Sequence, residues 1–321
     1  MITATGDSRR RAAAAVDIGG TKIAAGVVTV DGSIIGASHR LSRGVAVADA
    51  AALLADDLRA AISAAQSDGW SVEILGVAAT GRHDAVAGRL GAIDAVLDGW
   101  GASGLPRDLA ANLGLSLSAL LNDADAAALA EGRLGAGVGA DPCAVVTLGT
   151  GIGVALIRRG AVAAGANGVH GEFGHISIAL DGASCFCGAR GCWESFAGGG
   201  AIERAWIGGD PARQARSAGE IFDAAASGET VAAEIVDAAV RATALGIANI
   251  AVAVAPAAVI VGGGLASRWE RFAAAVDAEL ATRAPILAVQ PEIRRARFGA
   301  EAVLVGAGIA ALDANDAPVS R

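Results

Sequence analysis

The 321-residue chain has no tyrosine, a single lysine (Lys22) and one methionine, and aromatic residues make up only 3% of it. So few rings leave no stacking platform for single-stranded nucleic acid. The formal net charge is −8 and the pI about 5.0, so a broad basic surface for a phosphate backbone is missing too. Charged residues account for 18% and hydrophobic ones for 54%, with a mean hydropathy of +0.51. That balance supports a large core and excludes disorder as the overall state. A long membrane-crossing run is also lacking. The stretch 242–266 carries no charge, but Asn249, Pro256 and Gly262-Gly263-Gly264 interrupt it, so it reads as a core helix running into a core strand. Arg9-Arg10-Arg11 precedes only five apolar residues before Asp17, shorter than the roughly 7–15 of a secretory h-region. These absences predict a cytoplasmic protein with neither a membrane nor a nucleic-acid partner.

Glycine and clustered cysteine are what the chain does have. Its 45 glycines are about twice the usual share of roughly 7%. Three of its four cysteines, Cys185, Cys187 and Cys192, fall within eight residues. The length suggests about two domains. Residues 1–11 read as a polar, basic tail. Apolar strands are predicted at 13–18 and 23–30 around Gly19-Gly20-Thr21-Lys22, and a third strand at 33–37 follows the Asp31-Gly32 hairpin signal. Helical spacing covers 47–66, and a strand at 72–79 ends in Thr80-Gly81-Arg82. Residues 83–104 read as irregular. A short helix at 108–113, a strand at 116–121 and a helix at 124–134 follow. The opening pattern then returns as strand 144–148, the turn Gly149-Thr150-Gly151-Ile152-Gly153, and strand 154–158. Two copies about 130 residues apart predict two similar halves. Helices at 217–226, 229–253, 269–281 and 301–312 and a strand at 259–261 complete an α/β class.

Glycine turns at strand ends let backbone approach a ligand and point N–H groups at phosphate oxygens. Asp17, at such an end, suits Mg²⁺, which takes one or two carboxylates and keeps several waters. An ordinary tight turn is the bland alternative for each, and equally for Gly262-Gly263-Gly264. Neither turn matches a Walker-type loop or G-x-G-x-x-G. His175 lies ten residues before Cys185, and His175, Cys185, Cys187 and Cys192 make a closed Cys₃His set for structural zinc. Cys143 reads as a core residue. Asp123, after Asn122 at a strand end, is either a helix N-cap or a base for a substrate hydroxyl. Glu172, His175 and Glu194 bracket the cysteines and can ring a small polar ligand, or simply face solvent. His39, His83 and His170 are expected at the surface.

These motifs, in this order and spacing, resemble the ROK family of sugar kinases from about Ala14 to Leu312. The matching stretches are Asp17-Ile18-Gly19-Gly20-Thr21-Lys22, Asn122-Asp123-Ala124 and Leu148 to Gly153. They continue as Gly165 to Gly168, Gly171-Glu172-Phe173-Gly174-His175 and Cys185 to Glu194. The resemblance implies an actin/hexokinase-like (ribonuclease H-like) fold with two α/β domains closing on ATP and sugar. A smaller domain would span 1–122 plus 302–321, and a larger one 123–301 with the zinc loop. Asp17, Gly19, Gly20, Thr21 and Lys22, with Gly149, Thr150, Gly151 and Gly153, would hold ATP phosphates and Mg²⁺, and Gly262, Gly263 and Gly264 would lie near the adenosine. Asp123 would be the general base on the sugar 6-hydroxyl, and Asn122, Asp123, Glu172, His175 and Glu194 would bind the sugar. A homodimer is common in such families. Repressors of the family carry a DNA-binding domain before the first glycine turn, whereas 16 residues precede Asp17 here, which favours the enzyme.

Glucokinase-like members carry Pro-Gly where this chain has Thr80-Gly81, and an Asn where it has Val96. Asn122-Asp123-Ala124-Asp125 replaces the frequent N-D-A-N. Ala79-Thr80-Gly81-Arg82 and Leu180-Asp181-Gly182 are instead similar to N-acylmannosamine kinases, which would place Gly81 and Arg82 against an N-acyl group. N-acetylmannosamine is therefore the favoured substrate and glucose the alternative.

Overall fold

The computed structural model describes residues 10–316 apart from 43, 92–96, 167, 168, 170, 209, 211, 212 and 288. Val96, Asn167, Gly168, His170 and most of the basic tail lie outside the described residues. The chain divides into two compact units, Met1–Ala130 with Glu301–Arg321, and Glu131–Ala300.

In chain order the elements begin with β1 (Arg10–Ile18), β2 (Lys22–Thr29), β3 (Ile34–Leu41), α1 (Val47–Ser67) and β4 (Trp70–Ala79). Next come α2 (Leu105–Leu113), β5 (Ser116–Asn122) and α3 (Asp123–Leu134). The second set opens with β6 (Cys143–Leu148), β7 (Ile152–Arg158) and β8 (Ala161–Val162). It continues with α4 (Glu194–Ala197), α5 (Gly199–Ile207), α6 (Ala218–Ala226), α7 (Thr230–Val254) and β9 (Ala258–Gly262). The last elements are α8 (Glu270–Thr282), β10 (Glu292–Arg295) and α9 (Ala302–Asp316).

The first sheet runs β3-β2-β1-β4-β5 and the second β8-β7-β6-β9-β10. In both, an antiparallel meander joins two parallel strands at its first member. The recurrence read in the glycine turns is thus a recurrence of whole topology. β1 buries Ala12 to Val16 without alternation, as a strand covered on both faces must. α1 buries Ala50, Leu54, Leu58, Ala61 and Ala65, a stripe at helical spacing. On the sheet's other face α9 approaches α3 so closely that a Cβ on Gly306 would stand 1.7 Å from the Ala126 carbonyl oxygen.

The second unit gathers around α7. This helix is long and apolar enough to cross a membrane by length and composition, yet Val236, Ala244, Ile247 and Ile250 are core residues. The run continues into β9, as the interrupted uncharged stretch predicts. The Trp193 indole is 1% exposed and lies on α7 at Gly246, where a Cβ would come within 2.3 Å of two ring carbons. Only glycine admits the ring there. Glu131 is fully buried. Its carboxylate accepts the N–H groups of Ala136, Arg297 and Phe298 at 2.9, 3.0 and 2.7 Å. That fan of donors ties residues 135–137 to the segment after β10 and satisfies a charge that burial alone would expel.

Several local expectations need correction. Arg10 and Arg11 belong to β1, with Arg10 over the Trp70 ring at 5.4 Å. β3 extends to Leu41 because it pairs along most of β2. α5 and β10 went unpredicted. His83 is half-buried, not a surface residue. One of its ring nitrogens meets the Ala79 carbonyl at 2.8 Å, the other accepts from the Gly91 N–H at 3.2 Å, and burial lowers its pKa.

Candidate functional site

Each unit collects its motif residues at the carboxyl edge of its sheet, the edge where ligands bind in parallel α/β sheets. In the first unit, register places Asp17 beside Ala78, Ile18 beside Ala79, and Ala79 beside Asn122. The ends of β1, β4 and β5 therefore bring the Gly19 turn, Gly81 and Asp123 to one rim. The turn is closed by the Gly19 N–H on the Lys22 carbonyl at 2.9 Å. Ser42, which sequence reasoning passed over, braces it: its hydroxyl donates to the Gly19 carbonyl at 2.8 Å and its N–H to the Thr21 carbonyl at 3.1 Å.

Asn122 answers the question of which residue caps α3. Its side-chain oxygen accepts the Ala124 N–H at 2.8 Å, and its amide donates to the Gly81 carbonyl at 3.0 Å. Gly81 has φ +89°, a conformation glycine favours. Asn122 thus fixes the end of β4 and takes the capping role. Asp123 follows as the first helical residue, half-buried, with one carboxylate oxygen on the same Ala124 N–H at 2.9 Å. Arg82 is exposed.

Burial drives the Asp17 pKa up to about 8, and the nearby charges of Asp123 and Glu301 push the same way against Lys22. Three carboxylates therefore share one corner of the first unit. Like charges at close range hold a proton when no cation is present, and a divalent cation can replace that proton. Asp17 supplies the single carboxylate that Mg²⁺, keeping several waters, requires. Glu301 was missed in the sequence because nothing near it marks a motif; its other close partner is His39, at 3.4 Å.

In the second unit, β6 ends at the Gly149 turn and β9 ends beside it, with Thr147 opposite Gly262. Gly263, at φ +85°, lies against Leu148, where a Cβ would meet the carbonyl oxygen at 2.4 Å. Gly149 and Gly264 differ: a Cβ on either meets nothing within 4 Å, so packing does not demand glycine there. α5 starts against this turn, with the Gly199 and Gly200 N–H groups on the Gly149 and Thr150 carbonyls at 2.8 and 2.9 Å.

Glu194 is tied to the same turn. Its carboxylate accepts the Ile152 N–H at 2.9 Å and covers Gly151, where a Cβ would come within 2.4 Å of it. The Ile152 carbonyl packs under Gly174, in the short 3₁₀ turn Phe173–His175. One residue of the glycine turn is thereby held by Glu194 and by the turn that carries His175. Glu172 precedes this turn and is exposed.

His175, Cys185, Cys187 and Cys192 offer four ligand atoms within 4.8 Å of one another. Sγ of Cys185 is 3.4 Å from His175 Nδ1, and Sγ of Cys187 is 3.6 Å from that of Cys192. A tetrahedral zinc centre with bonds of about 2.0–2.3 Å sets its ligands roughly 3.5–3.8 Å apart, so the cluster fits. Burial and its sulfur neighbours push the Cys192 thiol up to about 12. At Cys185 burial acts in the same sense, but hydrogen bonds from the Cys187 backbone and the Ser195 hydroxyl outweigh it and bring the thiol to about 7. Such a set resists three thiolates without a cation and accepts them with one. Cys143 is a buried core residue, as read.

A paired-sheet α/β chain with glycine turns at both carboxyl edges is the architecture of the actin/hexokinase-like class. The chain belongs to the ROK family, whose profile matches residues 13–314. It is 34% identical over 273 residues to a glucokinase of Streptomyces coelicolor, covering 79% of this chain and 82% of that protein. To an N-acetylmannosamine kinase of Yersinia pseudotuberculosis it is 36% identical over 265 residues, covering 81% and 87%. It is similar in structure to a ROK glucokinase of Streptomyces griseus solved with glucose and AMPPNP, at a TM-score of 0.72 and 32% identity, covering 92% of this chain and 97% of that one.

Proposed function

We propose that this protein is an ATP-dependent kinase that phosphorylates the 6-hydroxyl of a hexose or N-acyl hexosamine. The observation that carries the reading is the division of labour at the end of β5. Asn122 accepts the Ala124 N–H at the start of α3, so the cap does not rest on Asp123 alone, which shares that N–H through one oxygen. The Asp123 carboxylate serves as the general base: one oxygen takes the 6-hydroxyl proton as the sugar oxygen bonds to the terminal phosphorus of ATP, whose bond to the bridging oxygen breaks to release ADP. Asn122 positions it. Glu172, His175 and the second oxygen of Glu194 bind sugar hydroxyls.

Phosphoryl transfer has a loose transition state, so positioning and charge neutralisation dominate. The backbone of Gly19, Gly20 and Thr21 and the Gly149–Gly153 turn orient phosphate oxygens, Lys22 adds a cation, and Gly262–Gly264 face the adenosine. Asp17 would hold Mg²⁺, which would supply positive charge against the phosphates. His175 and the three cysteines would hold structural zinc, a cross-link that would fix the loop between the 3₁₀ turn and α4. The protein works in the cytoplasm.

N-acetylmannosamine is the favoured substrate, supported by Ala79-Thr80-Gly81-Arg82 at the rim beside Asp123. Glucose is the alternative, supported by the glucokinases among the relatives. A coupled ADP assay over glucose, N-acetylglucosamine and N-acetylmannosamine decides between them, and clear preference for glucose overturns the first choice. Asp123→Asn is expected to fold normally and lose about 10²–10⁴-fold in turnover. Turnover near wild type in that variant would remove Asp123 from the mechanism.

A further inference from the structure

A cavity of about 190 Å³ in the second unit is lined by Ser184, Cys185, Phe186, Glu194, Ser195 and Arg204. Arg204 has no role in the reading above. It lies on α5, and its side chain leans back toward the helix start, as helical side chains do. A Cβ on Gly200 would be 3.3 Å from its Nη1 and 3.6 Å from the Thr150 carbonyl, so guanidinium and glycine turn flank one residue. Among the described residues this guanidinium has no hydrogen bond or ion pair. Two other polar side chains around the cavity are engaged, and a third keeps a donor. Glu194 holds the Ile152 N–H, and Ser195 donates to Cys185. Ser184 accepts from Arg190 at 3.1 Å, which leaves its own O–H free to donate.

We propose that Arg204, with the Ser184 hydroxyl, forms a phosphate-class oxyanion subsite beside the second glycine turn. The planar guanidinium pairs with two phosphate oxygens at once, which a lysine cannot do. The partial commitment of Glu194 to a backbone N–H lowers the repulsion an anion meets there. The shared chemistry has two sources: the phosphate chain of a nucleotide at the turn, or a free phosphate. The nucleotide source rests on the kinase reading; anion binding itself does not.

Isothermal titration with pyrophosphate and with inorganic phosphate at low and high salt tests the subsite. Arg204→Gln should weaken binding about 10- to 100-fold, the range for a lost charge-assisted hydrogen bond, and Arg204→Lys should recover part of it. The guanidinium has no partners to lose, so both variants should melt like wild type. Kinetics separate the sources. A raised KM for ATP with an unchanged sugar KM marks the nucleotide chain. An unchanged ATP KM with loss of phosphate inhibition marks the free anion. Wild-type binding of both anions by Arg204→Gln overturns the proposal. If sugar phosphorylation is intact while that binding is unaltered, the subsite fails and the kinase reading stands. If the wild type phosphorylates no sugar, the kinase reading fails and the titration alone judges the subsite.

Discussion

Replacing Gly246 by alanine sets two effects of opposite sign against each other. Alanine is the better helix former, and in the interior of α7 the exchange should gain about 1 kcal/mol. The added methyl, however, would stand 2.3 Å from Cδ2 and Cε2 of Trp193, well inside van der Waals contact. The indole is 1% exposed and cannot swing into solvent. Either the ring moves by about an ångström or α7 does, and overpacking of this kind costs about 1–3 kcal/mol and occasionally more. The close approach places this site at the upper end, so a net loss of about 2 kcal/mol is expected. For a unit of this size that lowers Tm by roughly 4–8 °C. The damage should reach function, because Trp193 sits between Cys192 and Glu194. Thermal melting followed by tryptophan fluorescence, with zinc affinity measured by competition against a chromogenic chelator, reads both effects. A Tm equal to or above wild type would show that helix propensity wins and that the ring does not set this position.

Other perturbations follow from the same geometry. Asp17 has its pKa raised from 3.8 to about 8, so the fold holds this proton more tightly than the unfolded chain. Its stabilising contribution is complete below about pH 4 and is lost as pH rises to about 8. Asp17→Asn should abolish that slope in magnesium-free buffer and be more stable than wild type at pH 8, while losing turnover; parallel pH–Tm curves would contradict this. Glu131→Ala leaves three backbone N–H groups unpaired and should cost about 3–5 kcal/mol in denaturant titration, with Glu131→Gln recovering part. A loss under 1 kcal/mol would mean that water replaces the carboxylate. Native mass spectrometry should find one zinc per chain, absent in Cys187→Ser, and a metal-free protein with unchanged sugar affinity would separate the cluster from the sugar site.

What could be read in advance was what sits in consecutive residues. The cysteine spacing, the two glycine turns and the Asn122-Asp123 pair carry their chemistry locally, and the turns and the pair stand where their strands end. What could not be read depends on neighbours across the sheet. Glu194 on the Ile152 N–H and Asn122 on the Gly81 carbonyl join residues about 40 positions apart, and no local pattern announces either. α5 hid behind Gly198-Gly199-Gly200, a run that reads as loop. It forms because Gly199 and Gly200 are bonded to the Gly149 turn, so tertiary context overrides propensity. β10 is short and charged, with Glu292, Arg294 and Arg295, as an edge strand paired on one side only is expected to be.

The first unit is assembled from the two ends of the chain, since α9 packs on β1, β2, β4 and β5. On the ribosome, residues 131–300 are complete before α9 has been made. The usual order, in which the amino-terminal unit matures first during translation, is thereby inverted. β1 to β5 emerge early and must wait, with the face that α9 covers still bare, for about 170 further residues to be synthesised at roughly 5–20 per second. That interval, on the order of ten to thirty seconds, is when a nascent chain of this design most needs a chaperone.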